Sequence, residues 1–296
     1  MLEIQRNVSL AGQCRFEVGG PAGHFAMAGG ADELVEALNF ARDNKLKYFV
    51  FAGGSNIFFA DAGFRGLVIR MVNGGCRVDK EEPAVSVGAG YDLPTLVREL
   101  ANEGLGGIEF LGNIPGSIGG AVVGNAGCYG RDIAGVLISA EVLDVGARTV
   151  EEVKPSFFEF AYRHSKLKDE PNYIVTSARL KLVPRAMAEI LSEVEGELDQ
   201  RLGKHPHFAS CAGSFFKNPE GRPAWQVITE AGLDEARVGE AMLSPKHANF
   251  LINAGGATSA DILTLVKLIQ RLVKERMGIE LEPEVRYVGP AGIENI

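Results

Sequence analysis

The chain has no apolar stretch approaching the roughly 20 residues that a membrane helix needs, and no run of lysine and arginine. A membrane span is therefore not expected. Acidic residues outnumber basic ones, 38 to 30, for a formal net charge of −8. That field disfavours the nucleic-acid backbone as a partner. The four cysteines, Cys14, Cys76, Cys128 and Cys211, form no CxxC pair. Neither a disulfide framework nor a zinc site is expected, and reduced thiols in the cytoplasm are the simpler reading. The first residues, MLEIQRNVSLAGQ, lack an apolar segment behind a basic start, so no signal peptide is expected.

Two nucleotide fingerprints are also missing. VSVGAGYDLP sets Gly88 and Gly90 between a strand and a helix, but Leu93 stands where a Rossmann loop needs its third glycine. The Gly203-Lys204 pair is followed by His205 and lacks the glycine-rich lead of a P-loop. His205 and His207 flank Pro206 with no carboxylate or cysteine at ligand spacing, so no metal is expected. His24, His164 and His247 stand singly and read as hydrogen-bonded structural residues.

Glycine, by contrast, is concentrated. Residues 109–130, EFLGNIPGSIGGAVVGNAGCYG, hold seven glycines in 22 positions and almost no charge. A flexible linker would be polar, so this apolar segment is ordered against chain or ligand. A second glycine turn, AGGSN, follows the strand-like KYFVF. Gly53 and Gly54 can turn successive N–H groups one way to form an anion nest, with Ser55 and Asn56 adding side-chain donors. Alone, it reads better as a plain turn. Together the two loops suit a flat, largely apolar ligand carrying a pyrophosphate, which a dinucleotide flavin matches.

The length of 296 residues, 46 % hydrophobic, allows two domains or one large one. Periodicity predicts helices over 32–46, with Asp32 as N-cap, and over 92–105, with Asp92 and Pro94 at its start. Strands are predicted at 66–71, 84–90, 137–145 and 173–183. Past Pro184 the pattern turns to charged, amphipathic helix at 185–202, then helices near 222–232 and over 258–277, so a domain boundary is expected near 184. Three short motifs carry reactive residue types. YRHS (162–165) holds Arg163, suited to a carboxylate or phosphate. GSFFKNP (213–219) puts Ser214, Lys217 and Asn218 on one loop. LEPEVR (281–286) puts Glu282 and Glu284 on one side of an extended segment.

The order of these pieces decides the reading. VGGPA (18–22), GGSN (53–56), IPGSIGGAVVGNAGCYG (114–130), YRHS, GSFFKNP, KHANFLIN (246–253) and LEPEVR together resemble the UDP-N-acetylenolpyruvoylglucosamine reductase family, from about residue 10 to 290. The resemblance implies an α/β (α+β) fold. Its first part is an FAD-binding domain of the vanillyl-alcohol-oxidase / p-cresol methylhydroxylase type over 1–184, in subdomains of about 1–80 and 81–184. A C-terminal α/β substrate-binding domain over 185–296 follows, its last segment, about 281–296, returning to the flavin site. Non-covalent FAD contacts are expected from Gly53, Gly54, Ser55, Asn56, Pro115, Gly116, Ser117, Gly119, Gly120, Asn125, Ala126 and Gly127. The catalytic residues implied are Arg163, Ser214 and Glu284, with Lys217 and Asn218 on the substrate phosphates.

The reaction implied passes a hydride from NADPH to FAD, then from flavin N5 to the vinyl C3 of UDP-N-acetylglucosamine enolpyruvate. Arg163 and Glu284 would stabilise the enolate, and Ser214 would protonate C2. Ala52, Asn113, Gly124 and Cys14 depart from the family's usual residues, which touches FAD contacts more than the fold. Tyr173, inside a predicted strand, is the only tyrosine between Ser165 and Gly213. The chain therefore resembles the compact type that lacks a tyrosine-bearing loop. A monomer is expected. Two alternatives remain open: an FAD-dependent alcohol or sugar oxidase of the same fold, and a non-catalytic UDP-sugar-binding protein.

Overall fold

The computed structural model describes residues 2–206 and 210–296. His207 lies outside them. Three hydrophobic cores organise the chain, and the sheets show why.

The first sheet runs in the order Gln5–Ser9, Pro21–Ala28, Phe64–Met71, Tyr48–Phe51. Its three inner pairings include two parallel ones, of Pro21–Ala28 and of Tyr48–Phe51 with Phe64–Met71. Helix α1 (Ala31–Asp43) buries Leu34, Ala37, Leu38 and Ala41 against one face of it. The expected Asp32 cap is corrected: Gly30 takes the N-cap position and Asp32 lies in the first turn. The Gly29 N–H is instead satisfied by Glu33 Oε2 at 2.6 Å, a carboxylate favoured there by the helix dipole.

The second sheet is wholly antiparallel, in the order Thr149–Val153, Leu137–Asp144, Tyr173–Lys181, Ala84–Gly88, Cys76–Asp79. Helix α2 (Leu93–Asn102) covers it with Leu93, Leu96, Val97 and Leu100. Its start is as the sequence reads: Asp92 accepts from Thr95 N at 3.0 Å and a proline occupies the first turn. The glycine-rich segment is not all loop. Ile118–Gly124 forms a short helix, α3, capped by Ser117. Glycine content hid it from propensity reasoning, but Ile118, Ala121 and Val122 bury into the second core and hold it helical.

Helix α4 (Met187–Lys204) follows Pro184, where composition shifts, yet it packs back on the second subdomain. Val194 joins that subdomain's core. Arg131 and Arg185 both reach Glu193 at 2.5 Å, and Arg185 also reaches the buried Glu109 at 2.9 Å. The sequence hint at 184 marks a change of surface character rather than a change of packing partner.

The last part folds around the hairpin Ala241–Ser244 and His247–Asn253, covered by α5 (Ala224–Glu230) and α6 (Ser259–Met277). A capping box between Thr258 and Asp261 starts α6. This part shares one core with the first subdomain: Phe58 lies 5.1 Å from Tyr287, and Phe16 lies 6.3 Å from Phe215, ring to ring. Each buried aromatic contributes about 1.5–3 kcal/mol. The strand Arg286–Gly289 then pairs in parallel with Ile57–Phe59, directly after the GGSN turn. Among the described residues no helix is long and apolar enough to cross a membrane.

Candidate active site

Two places come into view. The first lies where the glycine turns meet. Gly53 N donates to Ser117 Oγ at 3.3 Å, and the same oxygen accepts from Gly120 N at 3.4 Å. A Cβ on Gly53 would come within 3.1 Å of Gly116 Cα and Ser117 N, so the two loops touch backbone to backbone. Gly54 has φ +63, and a Cβ there would lie 2.3 Å from Gln13 O. Only glycine fits both demands.

Beside this contact is a cavity of about 270 Å³ lined by Arg15, Gly53, Arg70, Gly90, Pro115 and Ser117, among others. Arg70 donates to Gln13 Oε1 at 2.9 Å, but its buried Nε has no partner. Two guanidiniums beside turn amides suit a diphosphate, and the apolar, glycine-walled loops suit a flat ring system. The residues therefore fit FAD. Arg15 and Arg70 were invisible to motif reading, since each stands alone in sequence and only the fold brings them together.

Not every expected flavin residue faces this cavity. Gly119 packs on Ala89, where a Cβ would meet Ala89 Cβ at 2.9 Å. Gly127 lies against Arg131, with a Cβ only 2.2 Å from its carbonyl oxygen. Asn125, in the left-handed conformation at φ 43, is buried and spends its side chain on protein. It donates to Asp132 Oδ2 at 3.1 Å and Ala161 O at 3.0 Å, and accepts from Ala134 N at 3.2 Å. These three shape the wall by holding chain to chain.

The second place gathers the three reactive motifs. Asn125 and Ser165, which donates to Val123 O at 2.7 Å, tie the YRHS turn to α3. Arg163 sits in that turn at φ 55. GSFFKNP runs between two neighbours. Phe215 N donates to Asn249 O at 2.7 Å, and the buried Asn249 side chain brackets Phe216, accepting from its N at 2.9 Å and donating to its O at 2.8 Å. On the other side Glu284 N donates to Phe215 O at 2.8 Å, and Lys217 N to Glu282 O at 2.9 Å. Ser214, exposed and following Gly213 at φ 82, precedes this clamp.

The result is an ion cluster. Arg163 Nε lies 3.5 Å from Glu284 Oε1. Burial raises the Glu284 carboxyl above its ordinary range, while Arg163, Lys168 and Lys217 pull it down less strongly. Lys168 donates to Arg163 O at 2.6 Å, and burial, opposed by Glu284 and abetted by Arg286, Lys217 and Arg163, lowers its ammonium below the usual range. Burial likewise lowers Arg286. Three cations, Arg163, Lys168 and Lys217, thus act on one reluctant carboxyl, and Arg286 lies near Lys168, a field built for an anion. Lys168 is absent from the sequence reading, and Arg286 stands there only as the last letter of LEPEVR, with no role given to it. Lys217 pairs with Glu282 at 2.5 Å, and Asn218 Oδ1 accepts from Ala224 N at 3.0 Å, capping α5. Glu282 and Glu284, expected on one side, have different partners.

Comparison with known proteins follows this division. Residues 22–152 match the model of an FAD binding domain, and residues 205–288 that of the UDP-N-acetylenolpyruvoylglucosamine reductase C-terminal domain. The chain is 39 % identical over 291 residues to UDP-N-acetylenolpyruvoylglucosamine reductase of Geotalea uraniireducens (strain Rf4), covering 97 % of this chain and 94 % of that one. It is 32 % identical to the Bacillus subtilis (strain 168) protein of the same name, with the same coverage. The crystal structure of UDP-N-acetylenolpyruvylglucosamine reductase (MurB) from Thermus caldophilus superposes with a TM-score of 0.82 at 36 % identity, covering 97 % of this chain and 99 % of that one.

Proposed function

The chain belongs to the UDP-N-acetylenolpyruvoylglucosamine reductase family, and on that premise we propose that it reduces UDP-N-acetylglucosamine enolpyruvate to UDP-N-acetylmuramate, a step in peptidoglycan precursor synthesis. Gly53, Gly54 and the 115–117 turn, with Arg15 and Arg70, would hold FAD. Bound FAD supplies hydride chemistry at N5, with NADPH as the source of electrons. The single observation that carries the reading is the cationic cluster around Glu284, whose N–H donates to the carbonyl of Phe215, the residue after Ser214.

The substrate brings a carboxylate whose negative charge grows as hydride adds at C3. Arg163 would meet that charge, with Lys168, Lys217 and Arg286 adding to the positive field where water is partly excluded. In this scheme Glu284 serves in its protonated form, toward which burial shifts it. A neutral carboxyl can donate a hydrogen bond to the dianion, whereas a carboxylate would repel it. Ser214 delivers the proton to C2 as general acid. A hydroxyl is a weak acid, but an enolate carbon is a strong base, and Lys217 lies three residues on. The Lys217 ammonium and the Asn218 amide NH2 face the diphosphate in this scheme. Charged, water-soluble reactants suit a cytoplasmic enzyme that needs neither nucleic acid nor membrane, and a monomer is the simplest assembly for it.

The test is anaerobic stopped-flow absorbance on the purified protein, first with NADPH and then with the enolpyruvyl sugar. Bleaching followed by recovery of the yellow colour on adding the sugar is expected. Bleaching that recovers only with oxygen would move the reading to the oxidase alternative. A protein that binds the sugar but never bleaches would leave a non-catalytic binder.

A further inference from the structure

The YRHS turn puts an arginine where a turn would take glycine. Ala161 and His164 exchange both backbone hydrogen bonds, each at 3.1 Å, so Tyr162 and Arg163 are the two central residues of a tight reversal. Arg163 has φ 55, and Tyr162 does not share the positive φ. A positive φ at the second central position alone is the type II pattern, which glycine or asparagine fills with least strain. An arginine persists there only where its surroundings over-determine it.

The surroundings do so at three points. Asn125 Nδ2 donates to Ala161 O at 3.0 Å, and Ser165 Oγ donates to Val123 O at 2.7 Å. These two bonds hold the arms of the turn. Lys168 Nζ donates to Arg163 O at 2.6 Å and so holds the peptide that follows the arginine. Lys168 is fixed in its turn. It ends the short helical turn Lys166–Lys168, whose Leu167 is buried in the second core, and its N–H donates to Ser165 O at 3.0 Å. At the other end of the arginine, Nε lies 3.5 Å from Glu284 Oε1.

We propose that Lys168 is a positioning residue: its ammonium, on the Arg163 carbonyl, holds that arginine in the left-handed turn from which the guanidinium meets the carboxylate of the enolpyruvyl group. The inference rests on the substrate proposed above. It goes beyond a shared positive field by naming the bond through which Lys168 acts. The choice of lysine supports it. A neutral amide could donate to a carbonyl without bringing a charge into a partly buried place. Burial, opposed by Glu284, disfavours the ammonium, and Arg286, Lys217 and Arg163 disfavour it further. In return, a charged donor makes the stronger hydrogen bond, and an incoming anion relieves the repulsion among these cations. Lys166, on the same turn, provides a contrast. Its Nζ lies 3.8 Å from the Phe157 ring centroid and 3.8 Å from Glu159 Oε1, neither of which belongs to the cluster.

The test compares two ligands that differ by the enolpyruvyl group and its carboxylate. UDP-N-acetylglucosamine enolpyruvate and UDP-N-acetylglucosamine are titrated calorimetrically into the oxidised holoenzyme of the parent, Lys168→Met, Lys168→Arg and Lys166→Met. Flavin absorbance and the urea midpoint check that each variant folds. Lys168→Met should bind the enolpyruvyl sugar about tenfold more weakly, the scale of a lost charged hydrogen bond, and bind the plain sugar like the parent. Lys168→Arg keeps a charged donor and should restore most of the affinity. Lys166→Met should match the parent. In stopped flow, recovery of flavin colour by the enolpyruvyl sugar should slow by about 10–10² in Lys168→Met, the scale of a small misplacement, while bleaching by NADPH stays near normal. Equal weakening of both sugars would make Lys168 merely structural and overturn the proposal. So would a methionine variant that binds and reduces the enolpyruvyl sugar as the parent does. A parent that binds this sugar without reducing it removes the reaction, and the difference between the two sugars then still supports or overturns the role of Lys168. A parent that binds neither sugar overturns the substrate reading and the proposal with it.

Discussion

Asn56 Nδ2 donates to the main-chain oxygen of Glu284 at 3.1 Å, across 228 positions of sequence. Arg286 N returns the contact, donating to Asn56 O at 3.1 Å. The last residue of the GGSN turn thereby fixes the segment that carries the buried carboxyl. It couples the place that fits FAD to the place that fits an anion, through backbone rather than through mobile side chains.

The charge state of Glu284 can be read from stability. Its carboxyl is raised in the folded chain, so the native state holds a proton that the unfolded state has released at the same pH. The stability this contributes is present below the unfolded carboxyl pKa and is lost as pH rises through the folded one. Glu284→Gln cannot ionise and escapes the loss. In urea unfolding at a series of pH values, the variant should gain on the parent as pH rises. A gain that instead shrinks with pH would mean the cations hold Glu284 ionised. In the same window, recovery of flavin colour by substrate should slow in the parent as pH rises.

Ser214→Ala separates the two half-reactions. Bleaching by NADPH should stay near normal. Recovery with the enolpyruvyl sugar should fall by about 10²–10⁴, the range for loss of a general acid. Equal loss in both halves, measured by stopped flow, would remove Ser214 from the proton-transfer role.

Gly54→Ala tests the cradle. The left-handed backbone and the 2.3 Å approach to Gln13 O leave no room for a methyl. The variant should purify with a markedly lower flavin-to-protein absorbance ratio. Gly130→Ala offers a comparison: it has a similar φ of 75 but nothing within 4 Å of the added carbon, so it should cost some stability and keep its flavin.

Asn249→Leu keeps the branching pattern of the side chain, at a larger volume, but removes both hydrogen bonds to Phe216. Leaving a buried N–H and C=O unpaired costs about 1–3 kcal/mol each. Urea unfolding should show a loss of that size. The KM for the sugar should rise as well, because the clamp positions Ser214 and Lys217. Stability loss with unchanged kinetics would restrict Asn249 to a structural role.

Local pattern was enough for much of the fold. The α2 cap by Asp92, the strands at 137–144 and 173–181 and the long α6 follow from spacing within a few residues. It failed where tertiary burial outweighed propensity. The α3 turn is helical because its apolar side is buried, despite its glycines. Gly30, rather than Asp32, occupies the α1 cap position because Glu33 already satisfies the preceding N–H. At the site, motifs supplied Arg163, Ser214, Lys217 and Glu284 as candidates. Lys168, Arg15 and Arg70 carry no local signature, since a lone cation in sequence reads like any surface charge, and Arg286 is part of LEPEVR without a role the motif reveals.

The sequence by itself determined the element types, the turns that only glycine can make and, through motif order, the family. These depend on interactions between near neighbours, or on a pattern long enough to be specific. Tertiary structure decided which cations share one carboxyl, which loop glycines face protein rather than cavity, and that the final strand closes on Ile57–Phe59. Such facts arise from chain segments far apart in sequence, where Coulomb interactions and burial act on distance in space and leave no periodic trace along the chain.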